Sequence, residues 1–86
     1  MDINELIAIV KKKLNTKIKF EDLKIEDKSF LHKNHPGNQK DKFHLKIVIK
    51  SKNLRKMTKI ESNKKIYEIL SEEIHKYIHS IQISIQ

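Results

Sequence analysis

His79-Ser80-Ile81-Gln82-Ile83-Ser84-Ile85 alternates apolar and polar side chains with period two, the pattern of a strand that turns one face to a core. His79 shares the parity of Ile81, Ile83 and Ile85, which directs it toward the core face. As the first residue of the strand it also sits at the rim of the sheet. Ahead of it, Ile60 to Lys76 reads as a long amphipathic helix, so Lys76-Tyr77-Ile78 is the whole connection. An imidazole held at a sheet end by so short a connection is well placed to ligate a metal.

Working outward, Phe43, Leu45, Ile47 and Ile49 alternate with His44, Lys46 and Lys50, which predicts a second strand. Leu23, Ile25 and Phe20 predict a first strand, antiparallel to the second, with Lys24 and Glu26 on its opposite face. Asp2 and Glu5 have capping-box spacing, and Ile3, Leu6, Ile7, Val10 and Leu14 then recur at helical intervals, predicting a helix that ends near Asn15. Thr58 and Glu61 repeat that spacing at the start of the long helix, whose Ile60, Tyr67, Leu70 and Ile74 are expected on one face. Residues 29 to 42 form a polar loop around Pro36-Gly37, the chain's single proline and single glycine and a strong turn signal. The predicted order is α-β-β-α-β: an α+β two-layer sandwich with a three-stranded mixed sheet and helices on one face. With no internal repeat or linker, residues 1–86 read as one domain.

Eighty-six residues bury only about 60–65% of the unfolded surface, so the core must be compact. No apolar run approaches the ~20 residues that span a bilayer, and the acidic, amphipathic start Met1-Asp2-Ile3-Asn4-Glu5 is unlike a transit peptide. The expectation is a cytoplasmic protein with no membrane partner, or an organellar one if a targeting segment has been trimmed. Zero cysteines exclude disulfides, a catalytic thiol and a thiolate zinc site. They also exclude an ordinary iron–sulfur cluster held by this chain alone, because such clusters take four ligands, mostly thiolates. No nucleophile, paired acid/base carboxylates or phosphate loop stands out, so the chain does not read as an enzyme.

Net charge is +8, and Lys50, Lys52, Arg55, Lys56, Lys59, Lys64 and Lys65 face a single acid, Glu61, in their segment. These seven side chains have the charge to contact about four to six phosphates in a salt-dependent way. The competing explanation is a solvated face in a lysine-rich chain. Eighteen of the nineteen basic residues are lysine, whereas base readout favours bidentate arginine, so any DNA binding is expected to be non-specific.

Lys28-Ser29-Phe30-Leu31-His32-Lys33-Asn34-His35-Pro36-Gly37, then His44-Leu45-Lys46-Ile47-Val48-Ile49-Lys50-Ser51, then Tyr67-Glu68-Ile69-Leu70-Ser71-Glu72-Glu73 and Ile78-His79-Ser80-Ile81 together resemble the BolA-like family, in order and over nearly the whole chain. Three departures stand out. Leu54-Arg55-Lys56-Met57-Thr58 and Ser62-Asn63-Lys64 replace the family's usual Phe-x-Gly-x-Ser and Arg-His-Arg, and the chain stops at Gln86 before the family's common tail. The resemblance implies a type-II KH-like topology. With one glycine the chain cannot carry the Gly-x-x-Gly clamp of nucleic-acid-binding KH domains. It also implies that His79 ligates a bridging 2Fe–2S cluster, with His32 supplying a second ligand and His35 its alternate. The partner implied is a monothiol glutaredoxin with bound glutathione, the chain being a monomer when free and a heteromer when functional. The alternative it implies is a DNA-binding transcriptional regulator. His44 is expected to be structural, and His75 to face solvent.

Overall fold

The computed structural model describes residues 1–29 and 42–86. The elements run α1 (Ile3–Lys17), β1 (Asp22–Asp27), β2 (Phe43–Lys50), α2 (Lys52–Arg55), α3 (Lys59–Ile69), α4 (Ser71–Lys76) and β3 (Ile78–Ile85). The α+β class and the mixed three-stranded sheet agree with expectation. The sheet order is β1-β2-β3. β1 pairs antiparallel with β2, matching Leu23 to Ile49 and Ile25 to Ile47. β2 pairs parallel with β3, matching Leu45 to Ile81, Ile47 to Ile83 and Ile49 to Ile85. A parallel pair needs a long crossover, and α2 to α4 provide it.

Three capping interactions set the helix starts. Asp2 Oδ1 accepts the Glu5 N–H at 2.8 Å, and α1 ends where Ile18 turns extended and donates its N–H to the Leu14 carbonyl. The helix thus runs two residues past the expected Asn15. Thr58 Oγ1 accepts the Glu61 N–H at 3.1 Å. Ser51 Oγ accepts the Leu54 N–H at 3.2 Å and donates to the Lys19 carbonyl at 2.8 Å. Ser51 therefore starts α2, a short helix that carries no sequence period of its own. Because Ser51 is fully buried, it also ties the α1–β1 connection to the end of β2. Phe20 lies before β1 rather than in it.

The core joins Leu6, Val10 and Leu14 of α1 to Leu45, Ile47 and Ile49 of β2 and to Leu54, Ile66, Leu70 and Ile78. Each such burial contributes about 1.5–3 kcal/mol. Among the described residues no helix is long and apolar enough to cross a membrane.

Two expectations need correction. The predicted helix 60–76 is two helices, broken at Leu70 (φ −100°, ψ 15°), and its buried stripe is Ser62, Ile66, Leu70 and Glu73. Ile60 is 81% exposed and Tyr67 42%. The apolar period misplaced the face because two polar residues occupy buried positions. Ser62 is satisfied by donating to the Lys59 carbonyl, and Glu73 Oε2 is held by an ion pair with Lys13 of α1 at 2.5 Å, while Glu73 Oε1 is buried without a hydrogen-bond partner among the described residues.

The second correction concerns His79. Phe43 pairs with Ile78 but His44 pairs with Ser80, so His79 is the extra residue of a bulge, where two residues oppose one. Ile78 and Ile81 both reach the core side, and His79 is exposed, not turned to the core face.

Candidate functional site

The bulge brings two histidines together on the sheet surface away from the helices. The His44 and His79 rings have centroids 4.9 Å apart and planes tilted by 42°. His44 is buried, 5% exposed, and its Nδ1 lies 2.6 Å from Ser80 Oγ. The His79 ring is exposed and makes no hydrogen bond to another described residue. It is therefore the imidazole with nitrogens open to an outside ligand. Only Tyr77 separates α4 from β3, and its carbonyl accepts the Phe43 N–H at 2.8 Å, which fixes the backbone just before the bulge.

His44 also anchors the end of β1. Its N–H donates to Ser29 Oγ at 3.0 Å, its carbonyl accepts the Lys28 N–H at 2.7 Å, and the Ser29 N–H donates to Asp27 Oδ1 at 3.0 Å. The chain thus leaves the described structure at Ser29, bonded to the residue that packs on His79. His32 and His35 lie outside the described residues. Among the described residues no group of three or more His, Cys, Asp or Glu side chains could hold a metal ion. His75 is exposed, as expected.

The seven basic residues lie elsewhere. Lys50 ends β2, Lys52 and Arg55 are on α2, Lys56 caps it, and Lys59, Lys64 and Lys65 are on α3. All seven are exposed, and none has an acidic partner within 4.0 Å among the described residues. β2 and β3 start together at the histidine pair and end together near Ser51 and Gln86. At about 3.3 Å per residue the strands separate the two regions by roughly 20 Å. The predicted strand from Phe43 to Lys50 already implied this distance for His44, whereas the nearness of His79 to His44 was not legible in sequence.

A helix-covered mixed sheet of this order is the fold of solved BolA domains. The BolA domain of SufE1 from Arabidopsis thaliana aligns with a TM-score of 0.78 over 100% of this chain and 93% of its own, at 21% identity. BolA1 from Arabidopsis thaliana aligns with a TM-score of 0.77 over 92% and 87%, at 27% identity. The "DNA-binding transcriptional regulator BolA" of Haemophilus influenzae is 29% identical over 75 residues, 87% of this chain and 70% of that protein. The family model for BolA-like proteins matches residues 14–86, and the chain belongs to that family.

Proposed function

We propose that this chain is an adaptor that binds a monothiol glutaredoxin with its glutathione and co-ligates a bridging 2Fe–2S cluster, in iron–sulfur trafficking or iron homeostasis. The observation that carries this reading is the exposed His79 ring, held at the sheet rim by a bulge and unbonded among the described residues. One open imidazole does not make a self-contained metal centre. It fits a shared one, in which the partner and glutathione supply thiolates and His32 or His35 adds a second imidazole. When bound, the cluster supplies a redox-active and transferable iron–sulfur unit, and neutral imidazole in place of thiolate raises its potential. His79 must be deprotonated to bind, and the excess positive charge steers an acidic partner. The free chain is a cytoplasmic monomer in this reading. Mixing it with cluster-loaded glutaredoxin and recording visible circular dichroism is the test. A new heteromeric spectrum is expected, and an unchanged glutaredoxin spectrum rejects the reading.

A second reading is favoured by a separate observation. Seven exposed cations without ion-pair partners among the described residues surround α2 and the start of α3, and the Haemophilus influenzae relative is described as DNA-binding. In that reading the chain is a transcriptional regulator using Lys50 to Lys65. The two readings have separable footprints, one at each end of the sheet.

A further inference from the structure

The two sheet edges differ in a way that neither the histidine pair nor the cations explain. β1, one edge, reads Asp22-Leu23-Lys24-Ile25-Glu26-Asp27, and charges at alternate positions oppose pairing with another chain. β3, the other edge, has no charged residue and no proline over Ile78–Ile85, although 35% of the chain is charged. Its bulge lies at the start, so Ser80 to Ile85 pair regularly with β2.

Gln86 sets the phase of the backbone. Its N–H donates to the Ile49 carbonyl at 2.8 Å, and its carbonyl accepts the Ser51 N–H at 3.0 Å. Alternate residues of a strand direct their backbone groups to the same side. Ser80, Gln82 and Ser84 therefore face β2, while Ile81, Ile83 and Ile85 direct N–H and C=O out of the sheet. The Tyr67 hydroxyl reaches the Ile81 carbonyl at 3.4 Å. Ile83 and Ile85 have no such cover among the described residues. Beside them runs a groove of about 440 Å³. Leu54, Met57, Ile83 and Ile85 give it an apolar wall, and Arg55 and Lys59 a basic one.

We propose that the outer edge of β3 docks an extended, acidic segment of a partner protein. The segment adds a fourth strand along Ile83 and Ile85 and turns one set of alternate side chains, some apolar and some acidic, into the groove, the apolar ones against Leu54 and Met57 and the carboxylates against Arg55 and Lys59. Charge complementarity selects this occupant. Arg55 and Lys59 have no acidic partner among the described residues, whereas a second copy would bring another +8 and an uncharged β3. A single-stranded nucleic acid could use both the cations and the outward backbone groups, so oligothymidylate is one arm of the test. The surface lies at the far end of β3 from His79, so both can be occupied together, and the proposal does not rest on the cluster reading.

The probe is a fluorescein-labelled peptide, Val-Ser-Glu-Ser-Val-Ser-Glu, whose valines and glutamates share one face of an extended strand, titrated into the full chain by anisotropy. A second peptide carries N-methyl groups on the valine and glutamate amides, and a third on the serine amides. Saturable binding is expected, lowered about tenfold or more in one N-methylated peptide only, since losing one or two backbone hydrogen bonds costs about 1.4 kcal/mol. Amide shifts and new exchange protection should concentrate at Ile83 and Ile85, and Arg55→Gln with Lys59→Gln should weaken binding about three- to tenfold. Absence of binding, equal binding of all three peptides, or shifts centred on β1 overturns the proposal. So does self-association of the free chain through β3. Displacement of the peptide by oligothymidylate with the same amide shifts would assign the groove to nucleic acid and also overturn it.

Discussion

His44 and His79 are ring neighbours, 4.9 Å between centroids, and their environments divide the work. His44 is buried with Nδ1 against Ser80 Oγ, and its backbone holds Lys28 and Ser29. His79 is exposed beside it. One ring organises the end of the sheet, and the other faces outward.

The two histidines should therefore respond differently to truncation. His79→Ala is expected to change stability by no more than about 0.5 kcal/mol, as at an exposed site, while abolishing or altering the heteromeric cluster spectrum. His44→Ala should cost about 1–3 kcal/mol in urea denaturation, because it removes a buried ring with its bond to Ser80 and opens a void beside the bulge. A His79→Ala complex with the wild-type cluster spectrum and lifetime would remove His79 as a ligand.

For the second ligand, His32→Ala is expected to speed cluster loss from the complex while leaving cluster-free binding to glutaredoxin largely intact. His35→Ala should have the smaller effect. Cluster lifetimes followed by visible absorbance decide between them, and equal, wild-type lifetimes in both variants would exclude either loop imidazole.

Lys13 and Glu73 form the ion pair that joins α1 to α4. Glu73 is 4% exposed, so Lys13→Met leaves a buried carboxylate without its cation and should destabilise the fold by about 1–3 kcal/mol. Lys13→Met combined with Glu73→Met should recover part of that loss. A thermodynamic double-mutant cycle on denaturation midpoints measures the coupling.

Stability should fall at both ends of the pH scale. The hydrogen bond to Glu73 raises the Lys13 pKa above 10.5. Its contribution is full below that value and is lost as pH rises through the higher folded one. Glu72, bonded to Lys76 and then Lys13, and Glu26, bonded to Lys28 and then Lys24, are held below 4.5. Their contributions are present above 4.5 and are lost as pH falls through the lower folded values. Urea titrations across both limbs, repeated at high salt, should show weaker dependence where the pairs are exposed.

The DNA reading makes a quantitative prediction of its own. Changing Lys56, Lys59, Lys64 and Lys65 together to Gln should remove up to about four phosphate contacts and flatten the log-affinity against log-salt slope by about 3–4 units. Dissociation constants near 10⁻⁴–10⁻⁶ M with weak sequence preference are expected at physiological salt. Nanomolar, sequence-selective binding would instead make the regulator the leading function.

Much of the fold was legible along the chain because its signals are local. Asp2 and Thr58 are capping residues whose side chains bond amides three positions on. The Phe43-to-Ile49 alternation is a strand with a buried face, and the loop and terminal motifs carry the BolA-like resemblance. Three features belong to the tertiary structure alone. The bulge arises from pairing β3 against β2, and it overrides the parity that pointed His79 inward, since one extra residue reverses the face. The buried stripe of α3 and α4 includes Ser62, which bonds the Lys59 carbonyl, and Glu73, whose Oε2 pairs with Lys13, which no apolar period can report. The nearness of His44 to His79, and with it the distance of His79 from the cations near Lys50, follows from the parallel register of two strands joined through three helices. Period and capping act over three or four residues, whereas a site assembled from strand ends is decided by which strands pair and in what register.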